Sequence, residues 1–197
     1  MTLAELLVTM MLLGIVVSTI LAVLFSVQSA VGKQSDRSLS NDQVRLAVED
    51  IDRQVRSGNL LYSPTNGGMN VIVYTQANGN AQNPISRCVQ WKITSQQLQS
   101  RYWPTSWRDD PDVLVSPWRI VADHIVNQAP PANPGTPVPA FALDTSQSNF
   151  GNRILKIVIL ANQNANSGST VEIDDSITAR DTQYGFPSSV CSDVPPG

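Results

Sequence analysis

A run without charged residues, from Leu6 to Gly32, constrains this chain more than any other feature of its sequence. Nearly every residue in it is apolar or small, and it is longer than the roughly 20 residues that a helix needs to cross a bilayer. Glu5 lies immediately before the run. A carboxylate beside hydrocarbon is costly unless a cation pairs with it. The nearest candidate cation is the α-amino group of Met1, from the same chain or a neighbouring one.

Two simpler interpretations of the run are a secretory signal peptide and an ordinary single-pass anchor. A signal peptide carries positive charge before its apolar core, whereas the first basic residue here is Lys33, after the run. A single-pass anchor usually carries Lys or Arg on its cytoplasmic flank, and this run has Glu5 there instead. The position of the charges therefore argues against both interpretations.

The sequence TLAELL, followed by an uncharged helix, resembles the mature N-terminus of type IV pilins and pseudopilins. In that family a leader is removed, the new first residue is N-methylated, and a glutamate at the fifth position directs assembly. Thr2, Leu3, Glu5 and Leu6 match this pattern, and Met1 stands where phenylalanine is usual. The resemblance implies that Met1 is the N-methylated residue of a mature chain, and that Met1, Thr2, Leu3 and Glu5 direct assembly.

Composition limits what the rest of the chain does. The chain has 197 residues, of which 15% are charged, and its net charge is −3. Without the apolar run, the remainder has the size of one ordinary domain. An acidic balance without a basic patch argues against binding to nucleic acid through many phosphates.

The helix is expected to continue through residues 31–57, which contain no proline. Apolar residues recur there at helical spacing and predict one buried face: Val44, Val48, Ile51 and Val55. Charged residues on the other faces are spaced for i, i+4 pairs: Arg45, Glu49, Arg53, Asp52 and Arg56. Gly58 is the predicted stop, and Gly14 is a weak point within the apolar half.

After Gly58 the apolar residues alternate, which predicts strands. The predicted strands are 71–75, 87–94, 97–103, 118–126, 141–144, 153–161 and 170–180, with Ser95-Gln96 as a tight turn. The prolines of 129–139 predict an extended surface loop. The predicted fold class is α+β, with an antiparallel sheet packed on the second half of the long helix.

This predicted order of elements resembles J-type minor pseudopilins and PilW-like minor pilins. The resemblance is carried by NDQVRLAVEDIDRQVRSGNL, ADHIVN, FALD, NRILKIVILAN and VEIDDSITARD. It implies a pilin fold in three segments: residues 1–30 as the transmembrane or filament-core helix, 31–58 as its amphipathic half, and 59–197 as the sheet domain with the Pro-rich loop.

The two cysteines are Cys88 and Cys191. An even number of cysteines in an exported chain allows a disulfide bond, and several pilin families tie the C-terminal segment to the sheet in this way. The alternative is a pair of buried free thiols.

No catalytic or metal-binding pattern emerges from the sequence. His124 is the only histidine and has no serine or cysteine placed beside it by spacing. Zinc needs several clustered Cys or His ligands. Two acidic groups lack the ligand spacing of a calcium loop and are expected to be solvated: Asp109, Asp110 and Asp112, and Glu172, Asp174, Asp175 and Asp181. We expect no enzymatic activity, cofactor or metal.

The segment from Ser100 to Asp110 interleaves aromatic residues with arginine. Such residues can stack on bases or on a partner protein, and the alternative is that they belong to the core. The candidate residues are Tyr102, Trp103, Trp107, Arg101 and Arg108.

The expected function is assembly: a subunit that is inserted in the bacterial cytoplasmic membrane with its N-terminus inward and is then polymerised into an extracellular or periplasmic filament. The resemblance implies prepilin peptidase, an assembly platform and other pilin subunits as partners, and favours a minor pilin or pseudopilin. The alternatives are a major shaft pilin and a membrane-anchored module that binds DNA or mediates adhesion. The sequence leaves open whether a twitching pilus, a type II secretion system or a competence pilus uses the chain.

Overall fold

The computed structural model describes residues 3–77, 85–110, 114–128, 136–144, 154–162, 170–179 and 189–196. Within these ranges Ala4, Glu5, Asp36, Ala77 and Ile85 are described by their backbone alone. The chain forms two compact units, Met1–Ser38 and Leu39–Gly197. The second unit contains all of the strands together with the last part of the helix.

Helix α1 runs from Leu3 to Ser57, as the uninterrupted helical pattern predicts. Gly58 directly follows the last helical residue. A Cβ atom on Gly58 would lie 2.5 Å from Cγ1 of Val73, so the position has no room for a side chain. The described glycines with positive φ are Gly67 and Gly68, so Gly58 does not adopt the left-handed conformation that is common after a helix.

The apolar face predicted for the second half of α1 is buried. Val44, Ile51 and Val55 are fully buried, and Val48 is nearly so. On the other faces, Arg45 pairs with Glu49 at 3.3 Å and Arg56 with Asp52 at 2.5 Å, whereas Arg53 lies 3.8 Å from Asp50. Exposed pairs of this kind contribute less than about 1 kcal/mol each, so burial of the apolar face positions the helix.

The strands form two antiparallel sheets instead of the single predicted sheet. The first has the order β1-β2-β3-β4-β5. Its strands are β1 (Gly58–Leu61), β2 (Asn70–Ala77), β3 (Ile85–Thr94), β4 (Gln97–Pro104) and β5 (Arg119–Ala122). The second has the order β6-β7-β8. Its strands are β6 (Phe141–Leu143), β7 (Ile154–Ala161) and β8 (Val171–Thr178).

Most of the predicted strands are present with shifted ends, and the turn at Ser95-Gln96 is confirmed, with φ of 50° and 61°. The strand predicted for 118–126 stops at Ala122 because His124 is left-handed, with φ of 61°. Strand β1 and the 3₁₀ turn Asn66–Gly68 were not predicted. Residues 129–135 of the Pro-rich loop, with Arg153 and Arg180 at predicted strand ends, lie outside the described residues.

One hydrophobic core joins α1 to one face of each sheet. Its largest fully buried side chains are Trp91, Ile93, Leu98, Phe141, Leu155, Ile157, Ile159 and Ile177. The indole Nε1 of Trp91 donates to Oε1 of Gln54 on α1 at 2.8 Å, so the largest core side chain keeps its polar atom paired. A second, smaller cluster lies on the opposite face of the first sheet.

Asn127 connects the segment after β5 to the second sheet. Its side chain is fully buried. The Nδ2 atom donates to the carbonyl oxygens of Val138 at 3.1 Å and Val158 at 2.7 Å, and Oδ1 accepts from the amide of Leu160 at 2.9 Å. One side chain thus satisfies three backbone groups that buried loops otherwise leave unpaired.

We expect Asn127→Ala to lower the free energy of unfolding of the second unit by about 2–4 kcal/mol, because it leaves a buried amide and two carbonyls unpaired. Urea denaturation of the full chain in detergent, followed by tryptophan fluorescence, measures this loss. The matched control is Gln128→Ala, which removes one bond from an exposed neighbour to the carbonyl of Ile93 and should cost less than about 1 kcal/mol. Equal losses for the two variants would contradict the assignment.

Candidate functional site

The first unit presents an apolar surface on every side of α1. The large apolar side chains from Leu3 to Val31 are between 47% and 82% exposed. Water-soluble monomers rarely expose apolar patches beyond a few hundred Å², and a helix that is apolar all round belongs in a membrane or among other helices. α1 includes one stretch long and apolar enough to span a membrane.

Three of the hydroxyl groups within this apolar surface are paired inside the helix. Thr9, Ser18 and Thr19 each donate to the carbonyl oxygen three residues earlier, at 2.9, 2.9 and 2.8 Å. In hydrocarbon every polar group must be satisfied internally. These bonds make these three hydroxyls compatible with a membrane or a dry helix bundle.

Of the four residues predicted to direct assembly, the structure describes the side chain of Leu3 alone. Met1 and Thr2 lie outside the described residues, and Glu5 is described by its backbone alone, within α1. Leu3 is 82% exposed. Pairing of Glu5 with an amine therefore stays a prediction from the sequence.

A disulfide bond joins Cys88 on β3 to Cys191, with the Cα atoms 5.8 Å apart. Both cysteines are fully buried, and they pack with Leu60, Ile72 and Trp103 on the outer face of the first sheet. The amide of Cys191 donates to the hydroxyl of Tyr62 at 2.9 Å. The bond therefore fixes the C-terminal segment, residues 189–196, across this face.

Arg101 on β4 holds the end of the same segment. The residue is 5% exposed, and its guanidinium donates to the carbonyl oxygens of Pro195 at 2.7 Å and Pro196 at 3.2 Å, and to Oε1 of Gln90 at 2.9 Å. All three acceptors are uncharged. Burial without a carboxylate lowers the pKa of Arg101 from its ordinary value.

Trp118 supplies an aromatic surface for two cations. Its ring centroid lies 4.4 Å from Cζ of Arg101 and 3.7 Å from Nζ of Lys92. Burial, and then the charge of Arg101, lower the pKa of Lys92. Two like charges are thus held near one indole, where attraction to the ring partly offsets their repulsion.

The structure does not bring the Trp- and Arg-rich residues together as one exposed patch. Trp103 is fully buried, Trp107 donates from Nε1 to the carbonyl of Asp193 at 3.1 Å, and Arg108 pairs with the Asp193 carboxylate. These contacts hold the C-terminal segment. Tyr102 is 50% exposed and, by strand alternation, lies on the other face of the sheet. The core alternative describes Trp103 and Arg101, whereas Tyr102 and Arg108 stay exposed.

Next to Tyr102 is a cleft of about 540 Å³ between α1 and strands β3, β4 and β5. Asp50, Arg87 and Arg119 line it with Tyr102. Arg119 lies 3.3 Å from the carboxylate of Asp50. The guanidinium of Arg87 lies 5.4 Å from the Tyr102 ring centroid, and its Nε is buried without a hydrogen-bond partner among the described residues. No local sequence pattern pointed to Arg87, because only the fold places it beside Tyr102.

The residues considered for catalysis or metal binding do not form a site within the described ranges. His124 is exposed and lies in a left-handed turn, where its carbonyl accepts from the amide of Asn162 at 2.8 Å. The described part of the chain has no cluster of three metal-ligating side chains. Asp109, Asp110, Glu172, Asp174 and Asp175 are exposed. Asp112 and Asp181 lie outside the described residues.

Comparison with protein-family models and with curated proteins gives no match for this sequence. The function is therefore inferred from the chain's own residues and from the resemblance of its N-terminus.

We expect the double variant Cys88→Ala/Cys191→Ala to lose about 4–5 kcal/mol of stability, because the bond closes a loop of roughly 100 residues in the unfolded chain. Denaturation of the full chain in detergent measures the loss. Ser192→Ala, an exposed neighbour of Cys191, is the matched control and should stay within about 0.5 kcal/mol of the native chain. A double variant as stable as this control would show that the other contacts of the C-terminal segment suffice.

We expect Tyr62 to make the second unit less stable as the pH becomes alkaline. Burial raises the pKa of Tyr62, although its bond to Cys191 acts in the opposite direction. The fold therefore favours the neutral phenol, a preference fully present below about pH 10 and lost as pH rises through the folded pKa. We expect Tyr62→Phe to cost about 1 kcal/mol at pH 7, through the unpaired Cys191 amide, and to lose less than the native chain between pH 9 and 11.

Denaturation of native chain and variant across this pH range tests the expectation. Ser192→Ala is the control, because it removes an exposed hydroxyl next to Cys191 and leaves Tyr62 in place. Parallel profiles for the native chain and Tyr62→Phe would assign the alkaline transition to other groups.

Proposed function

We propose that this protein is a structural subunit of a type IV pilus-like filament, held in the membrane by its N-terminal helix before it is polymerised through that helix. The single observation that carries the proposal is the combination of an apolar helix exposed on all sides with one carboxylate, Glu5, at its start. A lipid anchor explains the apolar surface but gives no reason for the acid. A helix bundle with a neighbour's amine next to each Glu5 explains both.

In this mechanism Glu5 sets the register of assembly. A carboxylate in hydrocarbon is expensive, and pairing with the α-amine of a neighbouring Met1 offsets that cost. Only one axial offset between neighbouring helices brings the two groups together, so the ion pair selects a single arrangement while the apolar surfaces supply the attraction. The role is geometric and requires no cofactor.

The second unit supports a protein that works outside the cytoplasm. Its C-terminal segment is fixed by a disulfide bond, and such bonds persist in oxidising compartments. In the proposed arrangement the N-terminus faces the cytoplasm and the second unit lies in the periplasm or outside the cell. The resemblance favours a minor pilin or pseudopilin, and a shaft subunit is the other form of the same role.

Mass spectrometry of filaments sheared from the native cells tests the proposal. An N-methylated Met1 in the sheared fraction supports it, and the amount of the chain separates a shaft subunit from a minor one. Absence from that fraction, together with an unmodified Met1, overturns the filament role and leaves a membrane-anchored module. The burial of Trp103 and Arg101 removes two of the five residues through which such a module was expected to bind DNA or a surface.

We expect Glu5→Ala to leave the protein in the membrane at its native level while reducing its amount in sheared filaments about tenfold or more, the effect of losing roughly 1.4 kcal/mol per contact. Quantitative immunoblots of the membrane and sheared fractions measure the two amounts. Glu49→Ala is the matched control, since Glu49 is an exposed acid of the same helix that pairs only with Arg45 among the described residues. Equal recovery of Glu5→Ala and the control in filaments would remove Glu5 from the mechanism.

A further inference from the structure

We propose that the cleft beside Tyr102 is a contact site for strand β8 of a second copy of this chain. The proposal rests on the filament role proposed above in its shaft-subunit form, because it concerns a neighbouring copy of the same chain that a subunit meets after assembly. It goes beyond that role by assigning the two surfaces through which the second units touch.

The cleft is a cationic surface with unused binding capacity. Three arginines and one aspartate line it: Arg87, Arg101, Arg119 and Asp50. Asp50 is already paired with Arg119, and Arg101 is turned to the C-terminal carbonyls. Arg87 has no ion pair among the described residues, and its buried Nε has no hydrogen-bond partner there. A carboxylate in the cleft could pair with the guanidinium of Arg87, which the ring of Tyr102 already positions.

Strand β8 is the complementary surface on the same chain. It is an outer strand of the three-stranded sheet, and its side chains Glu172, Asp174 and Asp175 are exposed. The nearby cation, Lys156 on β7, is bound to Asp144 at 3.0 Å. No salt bridge joins the three β8 carboxylates to another described residue. An extended strand spaces Glu172 and Asp174 on one face, so both can point toward a single partner.

The occupant is a second copy because the two surfaces are different and neither satisfies the other within one molecule. No β8 residue lines the cleft of its own chain. A contact between two different patches of one chain is heterologous, and repeating it generates an open filament unless the rotation closes a ring. The pair thus has the geometry of the assembly proposed above.

Charged residues on an outer strand also prevent edge-to-edge aggregation. That role alone explains the acids of β8 but does not explain an unpaired arginine in a cleft elsewhere. It also predicts no fixed neighbour for Tyr102, which separates the two interpretations experimentally.

The test is site-specific photo-crosslinking in the full chain. The photoreactive amino acid p-benzoylphenylalanine replaces Tyr102, cells that express this chain are irradiated, and crosslinked peptides from sheared filaments are identified by mass spectrometry. Mixing isotope-labelled and unlabelled copies distinguishes crosslinks between two chains from those within one. We expect an intermolecular crosslink to the peptide that contains β8.

Charge reversal then tests the ion pair. Arg87→Glu should reduce the crosslink about tenfold, the lower end of the coupling between close charges across interfaces. Combining it with Glu172→Lys and Asp174→Lys should restore most of the yield. Arg45→Glu, a reversal on an exposed part of α1, is the control and should leave the yield unchanged. Arg87→Gln is the milder variant, and an intact Cys88–Cys191 bond verifies folding in each case.

The outcomes of the crosslinking experiment distinguish the contact from the filament role. A crosslink to β8 that follows the charge reversals supports the contact. Filaments that contain the chain but crosslink Tyr102 elsewhere, to a different protein, or not at all overturn the contact while leaving the filament role intact. A chain absent from sheared filaments overturns both.

Discussion

Burial of one apolar face of α1 is the interaction on which the second unit depends. Val44, Val48, Ile51 and Val55 lie against side chains from both sheets in a single core. Each such aliphatic side chain contributes about 1.5–3 kcal/mol when it leaves water. Without this helix face, the two sheets would expose the inner sides of β3 and β7.

The outer face of the first sheet is closed by the C-terminal segment. The Cys88–Cys191 bond fixes one point, and Arg101 fixes the end through backbone carbonyls. These carbonyls replace water around a buried cation, which otherwise carries a large desolvation cost. The segment therefore covers apolar side chains and supplies hydrogen-bond acceptors to a buried charge. For this reason most of the Trp- and Arg-rich residues contact the C-terminal segment instead of forming an exposed patch.

Local periodicity was enough to predict the helix, its buried face and most strands, because these depend on spacing along the chain. The division into two sheets was not predictable, since it depends on a left-handed His124 and on the bonds of Asn127 to β7. The cleft was not predicted for a similar reason. Arg87 and Tyr102 meet only through the register of β3 and β4, where Arg87 lies opposite Pro104, and no local pattern encodes that register in advance.

The two units differ in what they need from outside the chain. The second unit buries one core between α1 and its two sheets and fixes its own C-terminal segment. The first unit leaves its apolar side chains exposed, while the hydroxyls of Thr9, Ser18 and Thr19 donate to backbone carbonyls of the same helix. An apolar surface of this kind favours lipid or the faces of other helices, and in the proposed mechanism Glu5 favours the second.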